Sequence, residues 1–301
     1  MVAVVVILVV LAIAFLPFGI VSYNESRSVP LQAGIDHAVL NLSSDIGSIS
    51  ITYQPLSGSL IDMHISAETS SGLLAPQNFS ALFNVTFAYS FVGNTVFVNA
   101  GVKTQSSAFL GNIQNLSIVV TVSPSLEADV NASTAFGGIT FVSGSGDKID
   151  ALSLATTTGG VSANLAGGTL LGGDINLKTT TGGVQLLWDN VTTSTGVAVN
   201  SQATTGGIGI DMSQSGGLNG SVAVTGTTTT GGVNFSLSIG GDIGARINST
   251  AGTGGINVSQ QKGFVGPKDL LNSTNYPADN NFDVDLQATL GGIDISAVHQ
   301  P

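Results

Sequence analysis

The sequence predicts an all-β protein: a parallel β-solenoid (β-helix) of six to seven coils, preceded by a small antiparallel β cap and an N-terminal transmembrane helix. Three observations predict it. A Thr-rich triplet, two glycines and a β-branched residue recur as TTTGGV at 156–161 and 179–184, ATTGGI at 203–208, TTTGGV at 228–233, AGTGGI at 251–256 and ATLGGI at 288–293, with a degenerate TAFGGI at 134–139. From Gly137 to Gly254 the first glycines are 22 to 25 residues apart, a period that belongs to stacked repeats. Apolar residues alternate after each glycine pair, as in Val161, Ala163, Leu165 and in Val184, Leu186, Trp188, which is the pattern of a strand with one buried face.

Taken in order, residues 1–23 carry no charged side chain and are long enough to cross roughly 30 Å of hydrocarbon as a helix. They predict a single-pass anchor in the cell membrane with the body extracellular. A cleaved signal peptide is the rival reading, although a basic leader and a small-residue cleavage site are missing. Residues 24–36 read as a polar linker. Residues 37–124 alternate without the glycine-pair period, and Gly93-Asn94 between two alternating runs predicts a tight hairpin. They form the cap that a solenoid needs over its first open edge. Residues 125–301 form the solenoid. Its last interval, Gly254 to Gly291, is 37 residues long and holds an insertion at 259–281.

Composition narrows the function. The 301 residues include 40 glycines, and the chain is 43% hydrophobic and only 8% charged, so Ser, Thr and Asn rather than ions keep it soluble. A net charge of −11 with seven basic residues offers nothing to neutralise a phosphate backbone, which excludes nucleic acid as a partner. The absence of cysteine removes disulfides, thiolate catalysis and Cys-based zinc sites. Twelve of the twenty-one asparagines begin N-x-S/T: Asn24, Asn41, Asn78, Asn84, Asn115, Asn131, Asn190, Asn219, Asn234, Asn248, Asn257 and Asn272. Asn234 and Asn257 fall on the outward phase of their strands, where a glycan fits. The bland alternative is that these residue types are common on any low-charge β surface.

The stretch GSISITY (47–53), the antiparallel strands after it, and VTVSPSLEADVNAS (120–133) leading into repeated T-x-G-G-I/V strands resemble the adhesin domain family of bacteria and archaea, which includes LiaG-like membrane-anchored proteins. The resemblance covers residues 38–297. It implies a β-solenoid body at a cell surface, here in an archaeal setting. The partners expected for the long, nearly uncharged surface are surface glycans, surface-layer proteins or further copies of the chain.

The residues themselves argue against an enzyme and imply no cofactor. Histidine occurs only at His37, His64 and His299, and His64 belongs to the polar face of its strand. The repeat-aligned acids Asp174 and Asp242 lack the GGxGxD spacing of a calcium roll, so no metal site is expected. Scattered lysines and arginines accompany no recurring acid pair. The threonines carry the one recognition hypothesis. If the strands run straight through the glycine pairs, Thr156, Thr158, Thr179, Thr181, Thr228 and Thr230, with Thr205 and Thr253, stack outward as a flat face for glycan, ice or self-association. If the glycines form a corner, that parity fails and the threonines are ordinary strand residues. The expected function is therefore a non-enzymatic, glycosylated surface protein of adhesin type, with a pilus-like filament subunit or a Thr-row binding module as alternatives.

Overall fold

The computed structural model describes residues 19–71, 79–105 and 113–300. The chain is all-β, built as an 11-stranded and a 14-stranded sheet that share one hydrophobic core; the helix among the described residues is the four-residue turn Phe79–Leu82.

Each repeat gives one strand to each sheet, with a glycine at the corner between them. The repeats are named here by that glycine: Gly47 (His37–Ile46 and Ser48–Tyr53), Gly137 (Glu127–Phe136 and Ile139–Ser143), Gly159 (Lys148–Thr158 and Val161–Leu165), Gly182 (Ile175–Thr181 and Val184–Asp189), Gly206 (Val197–Thr205 and Ile208–Gln214), Gly231 (Val222–Thr230 and Val233–Gly240), Gly254 (Gly244–Ala251 and Ile256–Lys262) and Gly291 (Asn281–Leu290 and Ile293–Gln300). Equivalent strands of neighbouring repeats pair in parallel, so equivalent residues stack, as in Val161, Val184, Ile208 and Val233. Alternation buries one face of each strand; Ile175, Leu177, Leu186, Trp188 and Ile210 are almost fully buried.

Glycine at the corner is dictated by geometry. Gly137, Gly159, Gly182, Gly206 and Gly231 sit at φ between 142° and 145°, a conformation essentially confined to glycine. A Cβ built on any of the last four would overlap the carbonyl of the corner glycine in the repeat below. The corners therefore stack backbone on backbone, and each second strand is tied to the next corner by a main-chain bond such as Val161 N to Gly183 O at 2.9 Å.

Three expectations are corrected. First, the single-pass anchor over 1–23 is not supported: Gly19–Tyr23 belong to the strand Gly19–Pro30, which pairs antiparallel with Ser59–Ser71, while residues 1–18 lie outside the described residues. Among the described residues no helix is long and apolar enough to cross a membrane. The segment read as a linker thus spends its first half as an edge strand. Second, the repeat pattern starts before residue 125, because the Gly47 repeat pairs in parallel with the Gly137 repeat on one side and with Thr95–Thr104 and Ile113–Val122 on the other. At this end, antiparallel strands lie beyond these, where Phe83–Val92 joins Thr95–Thr104 through the expected hairpin at Gly93-Asn94 and Ser59–Ser71 pairs with Ile113–Val122. Third, the repeats do not stack in sequence order at the far end. The Gly291 repeat inserts between Gly231 and Gly254, and the excursion between Lys262 and Asn281 carries the chain around the outside, adding the short antiparallel strands Leu270–Ser273 and Phe264–Val265.

Candidate functional site

The threonine triplet divides at the corner. Its first residue faces inward: Thr156, Thr179 and Thr228 are buried, and each hydroxyl donates to the corner-glycine carbonyl of the adjacent repeat, Gly137, Gly159 and Gly206, at 2.9 Å. Thr134 does the same towards Gly47 at 3.3 Å. These hydroxyls satisfy carbonyls that the sharp corner turns away from the sheet ladder. The outward face expected for Thr156, Thr179 and Thr228 is thereby corrected: the chain bends at the glycines, so the strand's parity is not carried through them.

The remaining two residues of each triplet are exposed. Thr158, Thr181, Thr205 and Thr230 stack in register, beside the equally exposed Thr157, Thr180, Thr204 and Thr229. The row continues to Phe136, 59% exposed, at one end and to Leu290, 51% exposed, at the other. Thr253 is exposed at the corner of the Gly254 repeat and is separated from Thr230 by Leu290, because the Gly291 repeat intervenes. Neighbouring repeats lie about 4.8 Å apart, so the corner offers paired hydroxyls at a fixed axial spacing. On the other side of the glycines a shallow groove of ≈ 550 Å³ runs across the first sheet, lined by Thr140, Ser162, Gln185, Gly209 and Asn234. Neither surface contains a charged side chain.

The outer face of the larger sheet carries a ladder of polar side chains. Asn99, Asn41, Asn131, Ser153, Asn176, Asn200 and Thr225 follow one another in register. Asn41 donates to Asn99 at 3.2 Å and Asn200 to Asn176 at 3.1 Å. Such ladders reinforce parallel stacking.

Of the sequon asparagines, Asn24, Asn41, Asn84, Asn115, Asn131, Asn219, Asn234, Asn248 and Asn257 are exposed, Asn190 and Asn272 are half-buried, and Asn78 lies outside the described residues. Asn190 is held in a left-handed turn at φ 45°, its side-chain oxygen accepting from the amide and hydroxyl of Ser215.

The histidines fall partly where the sequence places them. His64 is exposed and 3.0 Å from the Ser26 hydroxyl, as the polar phase of its strand requires. His299, in the terminal segment, is buried beneath the insertion, with Nε2 3.1 Å from the Gly241 carbonyl. Asp174 accepts from the Ala198 amide at 2.8 Å. His37, Asp129 and Asp150 meet on the outer face of the larger sheet, the His37 Nε2 lying 3.8 Å from Asp129 and 3.7 Å from Asp150. Burial first, then the Asp150 charge, raises the Asp129 carboxyl above its ordinary range, with His37 opposing. Burial and the nearby Asp147 and Glu127 likewise push the Tyr53 phenol far up; its hydroxyl donates to the Lys148 carbonyl at 2.8 Å. No motif spacing links residues 37, 129 and 150, so only their pairing register could have revealed the cluster.

No protein-family model matches the chain, and no curated protein is detectably similar to it. Some solved bacterial structures align with the chain at low identity and low TM-score. One is a proposed cell adhesion protein of Clostridium sporogenes, at 17% identity and TM-score 0.39, covering 92% of this chain and 99% of that one. Another is a proposed adhesin of Bacteroides fragilis, at 14% identity and TM-score 0.35, covering 91% of this chain and 97% of that one. A third, a proposed adhesin of Parabacteroides distasonis, has 13% identity and TM-score 0.25, covering 93% and 98% respectively.

Proposed function

We propose that the chain is a non-enzymatic, adhesin-like protein: a glycosylated β-solenoid that binds a repeating, uncharged polar ligand of polysaccharide type along its threonine corner. The observation that carries this reading is the exposed double row from Thr157 and Thr158 to Thr229 and Thr230, in register over four consecutive repeats. A rigid sheet presents these hydroxyls without ordering cost on binding, and β-branched side chains have few rotamers to lose. The exposed Phe136 ring at the end of the row adds an apolar platform of the kind on which sugar C–H faces rest. With no charge on the row, affinity for such a ligand is insensitive to salt, unlike binding to an acidic polymer.

Binding to immobilised neutral polysaccharides tests the reading. The wild-type chain is expected to be retained, and a variant carrying Thr158→Lys, Thr181→Lys and Thr230→Lys is expected to lose retention while keeping its circular dichroism. Equal retention of the two, or inhibition of ice growth without any polysaccharide binding, would sink it. Glycans at Asn234 and Asn257, read by mass spectrometry of the protein from its native cells, are the separate expectation for the sequons.

A further inference from the structure

Three parallel strands bring His37, Asp129 and Asp150 together from distant parts of the chain. His37 opens the first strand of the Gly47 repeat and is in register with Glu127, while Asp129, two residues further on, is in register with Val39 and Ala151. His37 and Asp129 therefore share the outer face by ordinary alternation. Asp150 reaches that face for a different reason. The register with the Gly137 repeat slips between Ile149 and Ala151, so Asp150 is an extra residue, and both it and Ala151 are half-buried on the outside. Counted back from the buried Leu152, strict alternation would turn Asp150 inward; the bulge lets both Asp150 and Ala151 face out between the buried Ile149 and Leu152. The bulge thus adds a second carboxylate beside the first, an arrangement that two like charges resist unless something positive lies between them.

The geometry points to a divalent transition-metal site, of the zinc class, formed by His37 Nε2 and one oxygen each of Asp129 and Asp150. These ligand atoms all lie within 4.8 Å of one another. Ligands 2.0–2.2 Å from a tetrahedral ion stand about 3.4 Å apart, so the imidazole–carboxylate distances of 3.7 and 3.8 Å close onto an ion with small side-chain movements. They are also too long for hydrogen bonds, so the ring nitrogen bonds to neither acid. Among the described residues no lysine or arginine pairs with Asp129 or Asp150. One imidazole with two carboxylates suits Zn²⁺ and its neighbours, whereas Ca²⁺ takes six or more oxygens. Gly172 packs closely against the cluster, where a Cβ would come 3.0 Å from Asp150 Oδ1 and 3.5 Å from Glu127 Oε1, so a side chain at that position would crowd the carboxylate. The ion would clamp three adjacent repeats, joining the N-terminal one to two that follow it far along the chain.

Calorimetric titration of the chelator-treated full chain with zinc chloride, read together with its thermal midpoint, tests this. The expected result is one ion bound per chain and a midpoint raised by about 5 °C or more once zinc exceeds its dissociation constant a hundredfold. Calcium chloride should do neither. Asp150→Asn and His37→Ala, both at partly exposed positions, should abolish the binding and the shift with the far-ultraviolet circular dichroism unchanged, while His64→Ala should retain both. Absence of stoichiometric zinc binding, its persistence in either cluster variant, or its loss in His64→Ala would overturn the assignment.

Discussion

The buried hydroxyl of Thr179 and the exposed one of Thr181 stand two residues apart in one triplet and have opposite energetic roles. Thr179 donates to the Gly159 carbonyl inside the core, so replacing it with the isosteric valine leaves that carbonyl without a partner. Thr179→Val is expected to cost about 1–2 kcal/mol in denaturant unfolding, and Thr181→Val to stay within about 0.5 kcal/mol. Equal effects would mean that the corner does not depend on the hydroxyl. Ala203 and Ala288 occupy the same inward position in their repeats and pack there without a hydroxyl, so the row mixes hydrogen-bonded and purely apolar layers. A comparable buried pair joins Trp188, whose indole N–H donates to Gln214 at 2.7 Å, in the interior of the smaller sheet's layer.

At the level of the element, the corner is a backbone structure and the side chains follow from it. Gly182 combines φ 145° with direct stacking on the Gly159 carbonyl, so a methyl group there is strained and also collides with main chain that cannot move aside. Gly182→Ala is expected to destabilise by about 3 kcal/mol or more, enough to lower the thermal midpoint of the whole chain. Gly216→Ala, in an open turn with nothing within 4 Å, is expected to be nearly silent. A small effect at Gly182 would show that the corners relax independently of one another. Because each corner rests on its neighbour, their hydrogen bonds align the strands on both sides, and this same alignment sets the exposed threonines in register.

For the whole molecule, the decisive feature is the order of the repeats. The Gly291 repeat is last in the sequence but lies between Gly231 and Gly254, so both its neighbours bury apolar edges against it. In an array stacked in sequence order, removing the last repeat exposes one interface and leaves the rest folded. Here a chain ending at residue 280 loses an internal layer, with Phe282, Val284 and Leu286 gone from the core and the Trp188–Phe282 contact broken. Such a truncation is expected to abolish the cooperative thermal transition of the C-terminal half, measured by circular dichroism. A truncated chain that melts with only a proportionate loss of signal would contradict this account.

The sequence by itself determined the all-β class, the glycine-pair period, the core-facing apolar residues after each glycine pair, the Gly93-Asn94 hairpin and the outward phase of Asn234 and Asn257. All of these follow from local rules, namely alternation and the conformational freedom of glycine at a bend. The tertiary structure alone decided the strand at 19–30, the inward turn of Thr156, Thr179 and Thr228, the intercalated last repeat and the meeting of His37 with Asp129 and Asp150. Pairing between nearly identical parallel edges is the reason. Every repeat offers its neighbours the same alternating face and the same glycine corner, so local sequence does not name its partner. The partner is fixed by how the two ends of the stack are closed and by where bulges shift the register.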